Sequence, residues 1–215
     1  MGKLIAATIA LIALALAATA LLAVDRAAAV GAAAVKPGAP APGFTAPDIA
    51  GRMVNLGQYA GQIVILEWTN NGCPFVQKHY DSANMQTLQR RYTQGGVIWL
   101  TIASSAPGEE GYVTPAAAQA DLARWQAAPT DYLLDPDGMV GHLYDARATP
   151  HMVVIDRGGR IAYMGAIDDT PSTRLADVKT AKNYLVAALD EIAAGKPVTV
   201  ASTRAYGCSI KYKTS

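Results

Sequence analysis

"QIVILEWTNNGCPFVQKHY", residues 62 to 80, decides the fold. Its first half is a short apolar run, Ile63 to Leu66, bounded by Gly61 and by Thr69-Asn70-Asn71-Gly72, and it predicts a buried strand of parallel type. From Pro74 the period changes. Phe75, Val76, Tyr80, Met85 and Leu88 share one helical face, with Gln77, Lys78, Asp81 and Arg90 off it, so a helix is expected from Pro74 through about Arg90. Pro74 suits the first turn, where its missing N–H costs nothing. Cys73 therefore sits at the junction, after a polar turn and before a helix.

The pattern repeats downstream. "GGVIWLTIAS" (95–104) reads as a second buried strand, and "TPAAAQADLARWQAA" (114–128) as a helix capped by Thr114 with Pro115 first. "DYLLDPDGMVGHLY" (131–144) gives a short strand, a turn and a short helix. "RATPHMVVIDRGGRIAYMGAIDD" (147–169) gives a β-hairpin around Gly158-Gly159, and "ADVKTAKNYLVAALDEIAAGKPV" (176–198) a final helix ended by Gly195 and Pro197. Strands alternating with helices imply a layered α/β domain.

The N-terminus has export character. Lys3 precedes an uncharged apolar run, Leu4 to Val24, and small-residue sites follow in "RAAAV" and "GAAAV". A signal peptide over 1–34, cut near Ala29 to Ala34, is expected, or an N-terminal membrane anchor if it stays uncut. No cysteine lies near these cut sites, which argues against a lipid-anchored form. A Pro/Ala linker over 35–41 and a single domain over 42–215 complete the expected layout. Localisation is accordingly periplasmic or otherwise exported. Basic and acidic residues number 18 and 17, with no basic run, which excludes nucleic acid as an expected partner. No phosphate loop, Ser-His-Asp order or dinucleotide fingerprint occurs, and no metal or organic cofactor is expected.

Two cysteines, Cys73 and Cys208, are all the chain contains. A cysteine at a helix N-terminus meets the positive end of the macrodipole and free N–H groups, which favour the nucleophilic thiolate. Cys73 is thus expected to be a reactive, solvent-reachable thiol. The bland alternative is a small buried hydrophobe.

The order of strand, Cys-bearing turn, helix and a later Thr-Pro opening a strand resembles the thioredoxin superfamily. Within it the chain resembles the peroxiredoxin-like AhpC/TSA (redoxin) group, through "GFTAPDIAGRMVNLGQYAGQIVIL", "GCPFVQKHY", "ATPHMVVID" and "YGCSIKY". The "CP-aromatic-V" run and the "GCSIKY" tail resemble an uncharacterised peroxiredoxin-like subgroup. The resemblance implies a thioredoxin fold: a central mixed sheet flanked by helices, with an N-terminal hairpin extension. It implies that Pro150 is a cis-proline facing Cys73, and that Thr149 presents its backbone to an extended thiol substrate. Asn70 and Asn71, in the turn, join Thr149 and Pro150 as expected substrate-binding residues. The implied partners are a thiol or peroxide substrate and an external thiol reductant.

The chain also departs from the family. Val76 stands where thioredoxins carry a second cysteine, and Asn70 stands where typical peroxiredoxins carry a threonine three residues before the reactive cysteine. Arg147 is the candidate for a peroxide-activating arginine, without a motif to assign it. Peroxidase and disulfide-exchange activities both remain open. Cys208 then has two readings: a distant resolving cysteine, or half of a static disulfide in a non-enzymatic envelope module. His79 is read as a surface or core-edge histidine, His151 as a neighbour of the site or a half-buried strand residue, and Asp168-Asp169 as cleft-bordering or solvated aspartates.

Overall fold

The computed structural model describes residues 35–214, so the expected signal segment lies outside the described residues. A hairpin of β1 (Thr45–Pro47) and β2 (Met53–Asn55) leads into β3 (Val64–Trp68). Then come α1 (Pro74–Asp81), α2 (Asn84–Gln94), β4 (Ile98–Ala103), α3 (Pro115–Trp125), β5 (Asp131–Leu134) and α4 (Met139–Leu143). The remainder is β6 (Ala148–Thr149), β7 (His151–Ile155), β8 (Ile161–Gly165), α5 (Tyr184–Ala193) and β9 (Cys208–Ser209).

Five strands form the central sheet in the order β5-β4-β3-β7-β8. β3, β4 and β5 run parallel, whereas β7 is antiparallel to β3, and β8 to β7. This is the mixed sheet of a thioredoxin fold, as expected. Alternation along β3 sends Val64, Leu66 and Trp68 into one core with Tyr144 and Val153, and Ile65 into the other with Val76, Trp99, Met152 and Tyr163. β3 is covered on both faces, which is why it reads as a nearly continuous apolar run.

Three expectations need correction. The helix from Pro74 breaks at Ala83, whose backbone is left-handed (φ 59°), and restarts as α2. The break is held from both sides: Gln86 Nε2 donates to the Tyr80 carbonyl at 2.8 Å, and Asn84 Nδ2 meets His79 Nδ1 at 2.9 Å. The last helix begins at Tyr184 rather than near Ala176, because Asn183 caps it by accepting from the Val186 N–H at 2.9 Å. Residues 35–41, read as linker, run against the β7–β8 hairpin: the Gly38 and Ala41 N–H groups donate to the carbonyls of Ile161 and Gly159.

One buried charge organises the helical side of the sheet. Glu67 is fully buried in β3 and accepts from Trp99 Nε1 (2.7 Å), Tyr80 Oη (2.8 Å), Gln89 Nε2 (3.1 Å) and Thr101 Oγ1 (3.1 Å). Burial raises its carboxyl above the usual range, against the pull of those four donors. The carboxylate thereby ties β3 and β4 to α1 and α2. Glu67→Ala strands four buried donors and is expected to cost about 3–5 kcal/mol in urea unfolding. A loss below about 1 kcal/mol would show the network to be dispensable.

Candidate active site

Cys73 is the N-cap of α1, with Pro74 in the first helical turn. The preceding turn is built by the two asparagines. Asn70 Oδ1 accepts from the Gly72 N–H at 2.8 Å while its amide donates to Glu110 at 3.1 Å. Asn71 donates to Asp121 at 2.7 Å, and its carbonyl accepts from Gln77 Nε2 at 2.9 Å. Both amides are committed within the chain, where they shape the loop that carries Cys73. The Thr149–Pro150 bond is cis, and the Thr149 carbonyl accepts from the Cys73 thiol at 3.1 Å.

The tail completes the site. After α5 it follows β8, where the Thr203 N–H donates to the Met164 carbonyl at 3.1 Å and Thr203 Oγ1 accepts from the Ala166 N–H at 2.9 Å. It then crosses Cys73. β9 pairs antiparallel with β6, setting Cys208 opposite Thr149, and the Cys208 N–H points at Cys73 Sγ at 3.4 Å. Gly207 permits this approach: with φ at +123°, a Cβ there would lie 1.9 Å from the Thr149 carbonyl oxygen. Tyr212 anchors the far end, stacked on His142 (3.9 Å between centroids) and donating to the Ala146 carbonyl.

This tail overturns one expectation. Cys73 is fully buried, not solvent-reachable, because β9 lies over it. The structure brings Cys73, Thr149, Pro150 and Cys208 together, with both cysteines free. Burial first, then the adjacent Cys73 thiol, pushes the Cys208 thiol up to about 12. Arg147 is exposed and paired with Asp145 at 2.8 Å, and the sulfur's hydrogen bonds among the described residues go to Thr149 and Cys208. Among the described residues, no group of three His, Cys, Asp or Glu side chains could hold a metal ion, and no helix is long and apolar enough to cross a membrane.

A buried polar cluster beside the site was not foreseen. Lys78 and His79, one read as off the apolar face and the other as near-surface, are both buried and both face Asp168, at 3.6 and 3.7 Å. Tyr206, from the tail, donates to Asp168 and receives Lys78 Nζ at 3.3 Å. The sequence did carry a signal: Tyr206, Cys208, Ile210 and Tyr212 alternate with Gly207, Ser209 and Lys211, a period-two strand pattern.

His151 is buried too. It lies against Trp68 (5.8 Å between centroids), and both ring nitrogens lack hydrogen-bond partners.

Fold and site together define a thioredoxin-fold thiol protein. The model described as the AhpC/TSA family matches residues 37–164, more than half of the chain, and the chain belongs to that family. An uncharacterized conserved protein from Geobacillus kaustophilus is similar at 26% identity, with a TM-score of 0.70 over 84% of this chain and 94% of that one. A hypothetical protein from Sinorhizobium meliloti is similar at 26% identity and TM-score 0.66, over 85% and 98%. A putative thiol:disulfide interchange protein DsbE from Chlorobium tepidum shares the fold at 24% identity and TM-score 0.50, over 61% and 85%. No curated protein matches the chain.

Burial sets a pH dependence. It lowers His79 to about 4, helped by Lys78 and opposed by Asp168, and it lowers His151 to about 4, opposed by Asp145. Both pKa values fall on folding, so the unfolded chain binds protons first and stability declines as pH drops from about 6.5 towards about 4. Each histidine is expected to cost about 1–3 kcal/mol across that window. His151→Phe should flatten the decline in urea unfolding at pH 7.5, 6 and 5. An unaltered slope would reject the assignment for His151.

Proposed function

We propose that this protein is an exported thiol-disulfide oxidoreductase in which Cys73 and Cys208 form the redox pair. One observation carries the reading. The only two cysteines, 135 residues apart in sequence, are brought together by the tail, with the Cys208 N–H 3.4 Å from the Cys73 sulfur. The sulfur's hydrogen-bond partners among the described residues are that N–H and the Thr149 carbonyl. Neither is a cationic group suited to activating a peroxide, which favours a disulfide as the oxidant. The apolar N-terminal run with its A-x-A sites supports export to a compartment where disulfides persist.

The chemistry balances without a cofactor. The Cys73 thiolate attacks a partner disulfide, forming a mixed disulfide and releasing one partner thiolate. Cys208 then gives up its proton, which a released partner thiolate takes, and attacks Cys73 Sγ, releasing the second partner thiolate and leaving a Cys73–Cys208 disulfide. The partner disulfide gains two electrons and the protein dithiol loses them. An external thiol reductant returns the pair to the dithiol.

Oxidised glutathione is expected to convert both thiols to an intramolecular disulfide, read by mass spectrometry as the loss of two hydrogens. Cys73→Ser should abolish exchange, whereas Cys208→Ser should accumulate the mixed disulfide on Cys73. A Cys73–Cys208 bond with a potential well below about −300 mV would identify a static structural bridge and defeat the reading. Hydrogen peroxide consumption far faster than by an ordinary thiol would instead favour a peroxidase.

A further inference from the structure

We propose that Tyr206 is a latch that determines which partners reach Cys73, by holding residues 204–209 as a strap in the position an extended partner strand would take. The inference rests on the redox reading above and adds the determinant of access. Its first support is the backbone. Thr149 and Ala148 are paired with Cys208 and Ser209, so the edge of β6 is already filled by the chain itself. A partner peptide cannot pair with Thr149 while β9 does.

The second support is the asymmetry of the strap's contacts. Its inner side meets Cys73, the Thr149 carbonyl and Phe75, whose ring packs edge-on to Tyr206 at 5.7 Å. Arg204 to Gly207 and Ser209 also line an open cavity of about 800 Å³ with His151, Met164 and Tyr184. The middle of the strap, 204–209, therefore borders open space, while its ends are held by Thr203 on β8 and by Ile210 in the core.

The third is the chemistry of the latch. The Tyr206 hydroxyl bridges Asp168, Lys78 and His79, and the Lys78 ammonium lies 5.3 Å from its ring centroid. Lys78 and Asp168 already face one another, so Tyr206 can leave without orphaning a buried charge. That property suits a contact that must open and close. In the closed state the Cys73 sulfur meets the Cys208 N–H and the Thr149 carbonyl; with Tyr206 withdrawn, β9 unpairs and an external disulfide gains both the sulfur and the Thr149 backbone.

The test uses the full chain with Cys208→Ser, so that Cys73 is the only thiol. Its alkylation by iodoacetamide and by a polymer-bearing maleimide is measured with and without Tyr206→Ala. Loss of one hydrogen bond to a charged group should raise the rate about tenfold or more, with the larger gain for the bulky reagent. Tyr206→Phe, which keeps the ring against Phe75, gives an intermediate rate and decides alone if Tyr206→Ala does not fold. In the Tyr206→Phe chain with both cysteines, hydrogen exchange at the Cys208 amide should quicken while Ile65 and Leu100 stay protected. Unchanged alkylation in a folded variant, or core amides that quicken in step with Cys208, would overturn the latch. Neither readout requires disulfide exchange, so failure of the latch and failure of the redox reading are separable.

Discussion

The Cys73 sulfur is held by a carbonyl and an amide from two other parts of the chain: Thr149 at 3.1 Å and Cys208 at 3.4 Å. Three segments separated by 76 and 135 residues must meet for this to occur. The sheet delivers two of them, because β3 and β7 are adjacent and antiparallel, placing the turn after Trp68 beside the residues before His151. The third comes from a tail that owes its path to Gly207 and its two tyrosine anchors. A sulfur held this way can donate to one neighbour or accept from the other, so neither its protonated nor its ionised form is left without a partner.

α1 serves this arrangement beyond carrying Cys73. It has only eight residues before Ala83 turns the chain. A straight helix would continue its face past the sheet, whereas the break lets Asn84 pin the His79 ring and lets Gln86 hold the end of α1. Lys78 and His79 are thereby fixed pointing inward, although neither residue type is commonly buried so completely. The ion pair with Asp168 offsets the desolvation of Lys78 only because the geometry is closed on all sides, by the Thr170 carbonyl and Tyr206 among others. The same helix thus presents the thiol at its first turn and receives the tail at its second.

Much of this was legible in the amino-acid order. β3, β4 and β7 follow from apolar runs, α3 from Thr114-Pro115, and the reactive position from a polar turn before Pro74. Thr149-Pro150 was legible through its placement before the hairpin. What escaped depends on contacts at long range. Period 3.6 says which residues share a face, and it misplaces Lys78 because the partner that makes its burial tolerable, Asp168, lies 90 residues further on. The tail carries an alternating pattern from Tyr206 to Tyr212, but where it docks did not show, because β9 is two residues long and exists through pairing with β6. The exposure of Cys73 was misjudged for the same reason: its helix position is local information, its lid is not.

The tail's position also fixes an order of events during synthesis. A chain made from its N-terminus produces Cys73, the sheet and Thr149 well before residues 203–212. A nascent chain that has folded through β8 therefore carries an uncovered helix-terminal thiol and an unpaired β6 edge. Both are closed only when residues 203–212 arrive and pair with β6. Covering of the thiol thus waits on the tail, and a copy truncated before Tyr206 would differ from the full-length protein less in fold than in what its sulfur is free to meet.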